Sequence, residues 1–189
     1  MNLTELRARV RQDLKDTDVA NYRWTDDEVD GAIQRAVREF SLVAPQIQET
    51  DIATVSGSRD LDISSLTGMV RLLRLEFPVG TKQLFERWGT KLVMLDKGNG
   101  DDARLRWAKL HIVGATSTIP EHLEHIIVLG ATGYLATSES VYTADRATIG
   151  GRWSSPQLLS WGTARLERYQ RLLNDLRKDS KLISLELYD

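Results

Sequence analysis

Trp24-Thr25-Asp26-Asp27-Glu28-Val29 is followed by apolar residues at Ile33, Ala36, Val37, Phe40 and Val43. Thr25 is placed to cap a helix by accepting from the backbone N–H of Glu28, whose carboxylate reaches back to the Thr25 N–H. Trp24 and Val29 close over that turn as a hydrophobic staple. From Val29 the apolar positions form one stripe of a 3.6-residue period, leaving Asp30, Gln34, Arg35, Arg38 and Glu39 for the other faces. The stripe must bury against other elements, and Pro45 ends it, so a helix is expected over 25–44.

The same grammar recurs upstream. Asn2 and Glu5 have capping-box spacing, and Leu3, Leu6, Val10 and Leu14 form an apolar stripe, which predicts a short helix over 3–15. Arg7, Arg9 and Arg11 read as its solvated face. Residues 16–24 carry turn formers and two aromatics, a linker joining the two helices.

After Pro45 the period changes to two. Ile52 and Val55 suggest a strand, Ser56-Gly57-Ser58 a turn, and Leu61 and Ile63 a short partner strand, together a β-hairpin. Further strands are expected at 69–77, 83–88, 92–95 and 103–113, separated by Pro78 and Gly80, by Gly89-Thr90 and by the loop Asp96 to Asp102. Helix returns at Thr118-Ile119-Pro120-Glu121, another capping-box spacing, and is expected over 119–148. Gly130, Ala131, Gly133 and Ala136 make one side of it small enough for another helix to approach closely. A last helix starts near Ser155-Pro156 and runs over 155–179 with mixed charge. Beyond it, Ile183, Leu185 and Leu187 alternate with Ser184, Glu186 and Tyr188, an extended arm over 181–189 that could add a strand to another chain.

The expected fold is therefore α+β: a bundle of about four helices with a small antiparallel sheet region at 49–113 between its N- and C-terminal helices. Residues 1–180 read as a single domain. With 189 residues at 41% hydrophobic and 28% charged, the composition is that of a soluble globular domain able to bury a core. The chain has no cysteine, which removes disulfides, thiolate nucleophiles and cysteine metal sites, and suits a reducing compartment. No apolar run approaches the ~20 residues that span a bilayer, so no membrane partner is expected. The net charge of −2, with signs interspersed, argues against gripping nucleic acid as the main task.

Reactive chemistry is sparse. His122 and His125 share a helix face with Glu121 and Glu124 nearby and could ligate a metal, making a metal-dependent enzyme one alternative. They lack the order of a zinc-protease motif and a second ligand helix; the favoured reading is a polar helix start whose glutamates complement the macrodipole. His111 has no evident partner. The Asp96 to Asp102 loop reads as a tight turn, lacking the ligand order of a calcium loop. Gly150-Gly151-Arg152 is not a phosphate loop, and no nucleophile elbow is present. The five tryptophans are scattered as core and interface residues are. A second alternative is a small nucleic-acid-binding module using Arg7, Arg9 and Arg11. No catalytic residue, cofactor or metal is assigned.

The aromatic-Thr-Asp-x-Glu-hydrophobic start at Trp24 to Val29, the helix body from Ala36 to Phe40 and the Ser56 to Ile63 segment resemble the head-to-tail adaptor proteins of tailed bacteriophages. The similarity is clearest over residues 1–80, and the closing helix and tail are similar to the same family. The larger sheet between 80 and 113 departs from the smallest adaptors. The resemblance implies a structural virion protein, made in the host cytoplasm and placed in the neck. Such proteins form rings, typically of twelve copies, beneath the portal protein. They extend the channel through which genomic DNA passes, and they receive the stopper or tail protein. It also implies that the last helix and residues 181–189 dock on the portal, with Ile183, Leu185, Leu187 and Tyr188 as anchors.

Overall fold

The computed structural model describes residues 1–144 and 155–186, with side chains described for 1–141 and 155–178. Within them the chain forms two compact units, Met1–Ala44 with His111–Asp189, and Pro45–Leu110.

The first unit is helical. Helix α1 spans Leu3–Leu14 and α2 Asp26–Val43, each opened by the expected reciprocal capping box, Asn2 with Glu5 and Thr25 with Glu28. The Glu28 carboxylate accepts from the Thr25 N–H at 2.7 Å, and that bond holds its pKa below the ordinary value. Boxes of this kind contribute about 1 kcal/mol each and fix where a helix begins. Trp24 and Val29 are both buried in the core of this unit, with Leu6, Val10, Ile33, Phe40, Ile127 and Tyr169.

The third helix begins differently from expectation. Glu121–Leu123 is a turn of 3₁₀ helix without a side-chain cap, and α3 proper is Glu124–Ala144. Thr118 is engaged elsewhere: its Oγ1 lies 3.0 Å from His111 Nδ1 and accepts from the Ile112 N–H, so the predicted capping box does not form. Residues 145–148 of the expected span lie outside the described residues.

Helix α4 is Ser155–Glu186 and packs along α3. The small side read from the sequence is what brings them together. A Cβ at Gly162 would stand 3.0 Å from the Thr137 nitrogen and 3.2 Å from the Gly133 oxygen, so the two backbones nearly touch. Tyr169, fully buried, donates to the Ala36 carbonyl at 2.7 Å and ties α4 to α2. The arm expected over 181–189 falls on residues whose side chains are not described. The backbone of α4 is helical to Glu186, and residues 187–189 lie outside the described residues.

The second unit holds six strands: β1 Gln46–Ala53, β2 Asp60–Asp62, β3 Met69–Glu76, β4 Phe85–Trp88, β5 Lys91–Met94 and β6 Asp102–Lys109. They form two antiparallel three-stranded sheets, β1-β6-β3 and β2-β5-β4. Leu75, Leu105 and Trp107 of the first sheet and Leu61, Leu92 and Met94 of the second share one core. The predicted hairpin of β1 with the 60–63 strand is not formed. The turn at Gly57 is present, but β1 pairs along its whole length with β6, and β2 pairs with β5. The distant pairing matches what β6 offers: it runs beside all eight residues of β1 and carries Ala103, Leu105 and Trp107 into the core of this unit, while the Trp107 indole donates to Thr50. The Asp96 to Asp102 loop closes against the end of β1. Gly98 donates to the Ser58 carbonyl at 2.7 Å, and a Cβ there would stand 2.7 Å from the Val55 oxygen.

Candidate functional site

The arginines of α1 do not share one solvated face. Arg11 is buried; its guanidinium donates to Asp16 at 2.5 Å, to the Trp24 carbonyl at 2.9 Å and to Asp26 at 2.7 Å, beneath the Tyr22 ring. Arg7 forks onto Asp30 and reaches Asp26. The solvated-face reading therefore fails for Arg11 and holds for Arg9, which is exposed. A legible signal was present: Arg7 and Arg11 are four apart on one helix, Asp26 and Asp30 four apart on the next. The linker of residues 16–24 is thus held by a charge, with Asp16 also accepting from the Arg23 N–H.

The histidine cluster is not a gathered site. His122 and His125 are exposed, and His125 Nδ1 lies 2.9 Å from the His122 carbonyl oxygen. Glu124 is buried and meets the Met1 ammonium, while Glu121 is exposed. Among the described residues no three His, Asp or Glu side chains converge as a metal site would require. His111, in contrast, does have partners. Its Nε2 donates to the Ala44 carbonyl at 2.9 Å, which leaves Nδ1 to accept from the Thr118 hydroxyl. Burial lowers its pKa, as expected for a ring held neutral against Phe40.

Trp24 and Trp107 are core residues, as expected. Trp88 is 69% exposed, on the edge strand β4, and Trp153 lies outside the described residues. Leu84 and Leu95, which flank β4 and β5 and are joined by a backbone hydrogen bond, are exposed at the end of the same sheet. The portal-binding candidates Ile183, Leu185, Leu187 and Tyr188 have no described side chains. Among the described residues no helix is long and apolar enough to cross a membrane.

The sequence reading missed an open groove of about 460 Å³ on the helical unit. Arg9, Gln12 and Asp13 of α1, Lys15 after it, His125, Val128 and Leu129 of α3, and Arg165, Arg168 and Leu172 of α4 line it. Arg165 is fixed by Asp13 at 2.5 Å and lies over the Trp161 ring. Arg9, Lys15 and Arg168 form no ion pair among the described residues. The result is a basic wall over an apolar floor, suited to an anionic partner rather than to bond-making chemistry.

No curated protein matches this sequence. Residues 1–178, from the capped start of α1 to the charged stretch of α4, match the family described as SU10 adaptor protein. That span takes in both units and every element whose side chains are described, and the chain accordingly belongs to this family of phage adaptor proteins, structural components of the virion.

Proposed function

We propose that this chain is a head-to-tail adaptor that forms a ring of twelve copies below the portal, extends the DNA channel and attaches the stopper or tail. The observation that carries the reading is the family match over 178 of the 189 residues. Two features of the fold support it. Helix α4, 32 residues long, offers mixed charge along its exposed side for contacts with neighbouring copies. The net charge of −2 suits a lumen that genomic DNA must pass without sequence-specific binding, because a strongly basic wall would hold phosphates.

In this reading the protein acts as a joint and has no catalytic step. The end of α4 and residues 181–189 dock on the portal, with Ile183, Leu185, Leu187 and Tyr188 as apolar anchors, and the loops of the β unit face neighbours or the tail. Deleting residues 181–189 tests the arm. The expected result is loss of portal binding in a pull-down, with circular dichroism lowered by no more than the six helical residues removed from α4. Undiminished binding would refute the arm as the anchor.

A further inference from the structure

The basic groove sets exposed cations beside an apolar floor. Arg9, Lys15 and Arg168 gather like charge around the apolar side chains of Val128 and Leu172 and form no ion pair among the described residues, the one carboxylate lining the groove, Asp13, being paired with Arg165. The complementary surface is on the same chain. The start of α2 carries four carboxylates, Asp26, Asp27, Glu28 and Asp30, against the two guanidinium groups of Arg7 and Arg11. Asp27 is exposed and forms no ion pair among the described residues.

These two surfaces lie on opposite sides of α1. At ~100° per residue, Arg9, Gln12 and Asp13 fall within an arc of about 100°, while Arg7 and Arg11 project about 160° to 200° away from Arg9. Arg7 and Arg11 hold the start of α2. A copy therefore presents its acidic turn away from its own groove, where it is available to the next copy. Unlike surfaces that meet from copy to copy make a heterologous contact, the kind that closes into a ring when the repeated rotation allows.

We infer that the groove of one copy receives the acidic first turn of α2 from its neighbour, an inference that rests on the ring reading above. Nucleic acid is the lesser fit. Three unpaired cations beside Asp13 fall short of the extended basic stripe that neutralises a phosphate backbone. Carboxylates on a helix turn match both the charge and the small compass of the groove, and they steer the approach of like copies.

The absence of cysteine makes a clean test possible. Gln12→Cys puts a thiol in the groove without removing a charge. Gly31→Cys puts one on the Asp27 face of α2, where a Cβ meets nothing within 4 Å. The two full-length single-cysteine variants are mixed in equal amounts at high concentration and treated with a short bismaleimide, while light scattering follows self-association. The inference expects Gln12-to-Gly31 linked dimers in clear excess over either self-linked species. It also expects that excess to be lost with Arg9→Glu and Arg168→Glu in the groove-bearing copy. Association without hetero-linked dimers overturns the inference and leaves the ring reading standing. Absence of association between free copies overturns the inference and leaves the ring reading to the test with the portal protein, and steeply salt-dependent DNA capture that competes with hetero-linking overturns it in favour of nucleic acid.

Discussion

The helical unit and the β unit use opposite charges for different ends. Arg11 and Asp16 meet at 2.5 Å with side chains only 6% and 5% exposed, whereas Arg104 and Asp51 meet at 2.9 Å with 36% and 44% exposed. The distances are alike and the surroundings are not. Water screens the β pair, and side-chain freedom opposes it, so it adds little. The helical pair is sealed from water, where an unpartnered charge is expensive, and it binds α1, the linker and α2 at once. Charge specifies the order of elements in one unit and decorates the outer face of a sheet in the other.

That contrast can be broken most sharply at Arg11. Arg11→Ala leaves Asp16 buried without its partner and is expected to cost about 3–5 kcal/mol in urea unfolding, enough to threaten the fold. A cost no larger than that of an exposed pair would mean the buried network is dispensable. Next in size is the α3 and α4 contact. Gly162→Val forces side-chain carbon against the backbone at Thr137 and Gly133, with an expected loss of about 1–3 kcal/mol. An unchanged urea midpoint would show that the helices can move apart freely.

A smaller effect separates the units by pH. His111 belongs to the helical unit, and its pKa is lowered from 6.5 by burial. Below 6.5 the unfolded chain therefore binds more protons than the folded one, so stability falls as pH drops from 6.5 through the lowered value. His111→Gln should flatten that part of the curve; an identical slope would remove His111 as its source. The Arg104 guanidinium holds the Asp51 carboxyl below its ordinary value, so that contribution is present above 3.8 and is lost only as pH falls through the lowered pKa. Smallest of all, Arg104→Ala should leave the urea midpoint at neutral pH unchanged within error. A clear loss would mean that the exposed ladder shares the structural role of Arg11.

The same contrast explains what could be read in advance. Helix starts at Asn2 and Thr25 were legible because caps are local chemistry, and the small side of α3 was legible because glycine and alanine admit a close neighbour whichever helix supplies it. Strand existence was legible from alternation at β6 and from β-forming composition at β3. Pairing was not, since β1 pairs with β6, a strand far along the chain whose Ala103, Leu105 and Trp107 reach the core only once the sheet has formed. The Thr118 box failed for a different reason: His111 and the Ile112 N–H, seven and six positions upstream, engage its hydroxyl. Arg11 was misread because α1 was read by itself, although the matching spacing of Asp26 and Asp30 on the next helix was there to be paired with it. The basic groove was hidden because its cations come from α1, the residue after it and α4, and converge over the α3 floor only in the fold. His122 and His125 were neighbours in the sequence, yet no third ligand joins them among the described residues.

The central claim, that this chain is a ring-forming adaptor on the portal, is tested most directly by native mass measurement of the full chain mixed with its purified portal protein. The account predicts one discrete species carrying twelve copies of the chain per portal ring. A mixture whose masses remain those of the separate proteins would contradict it.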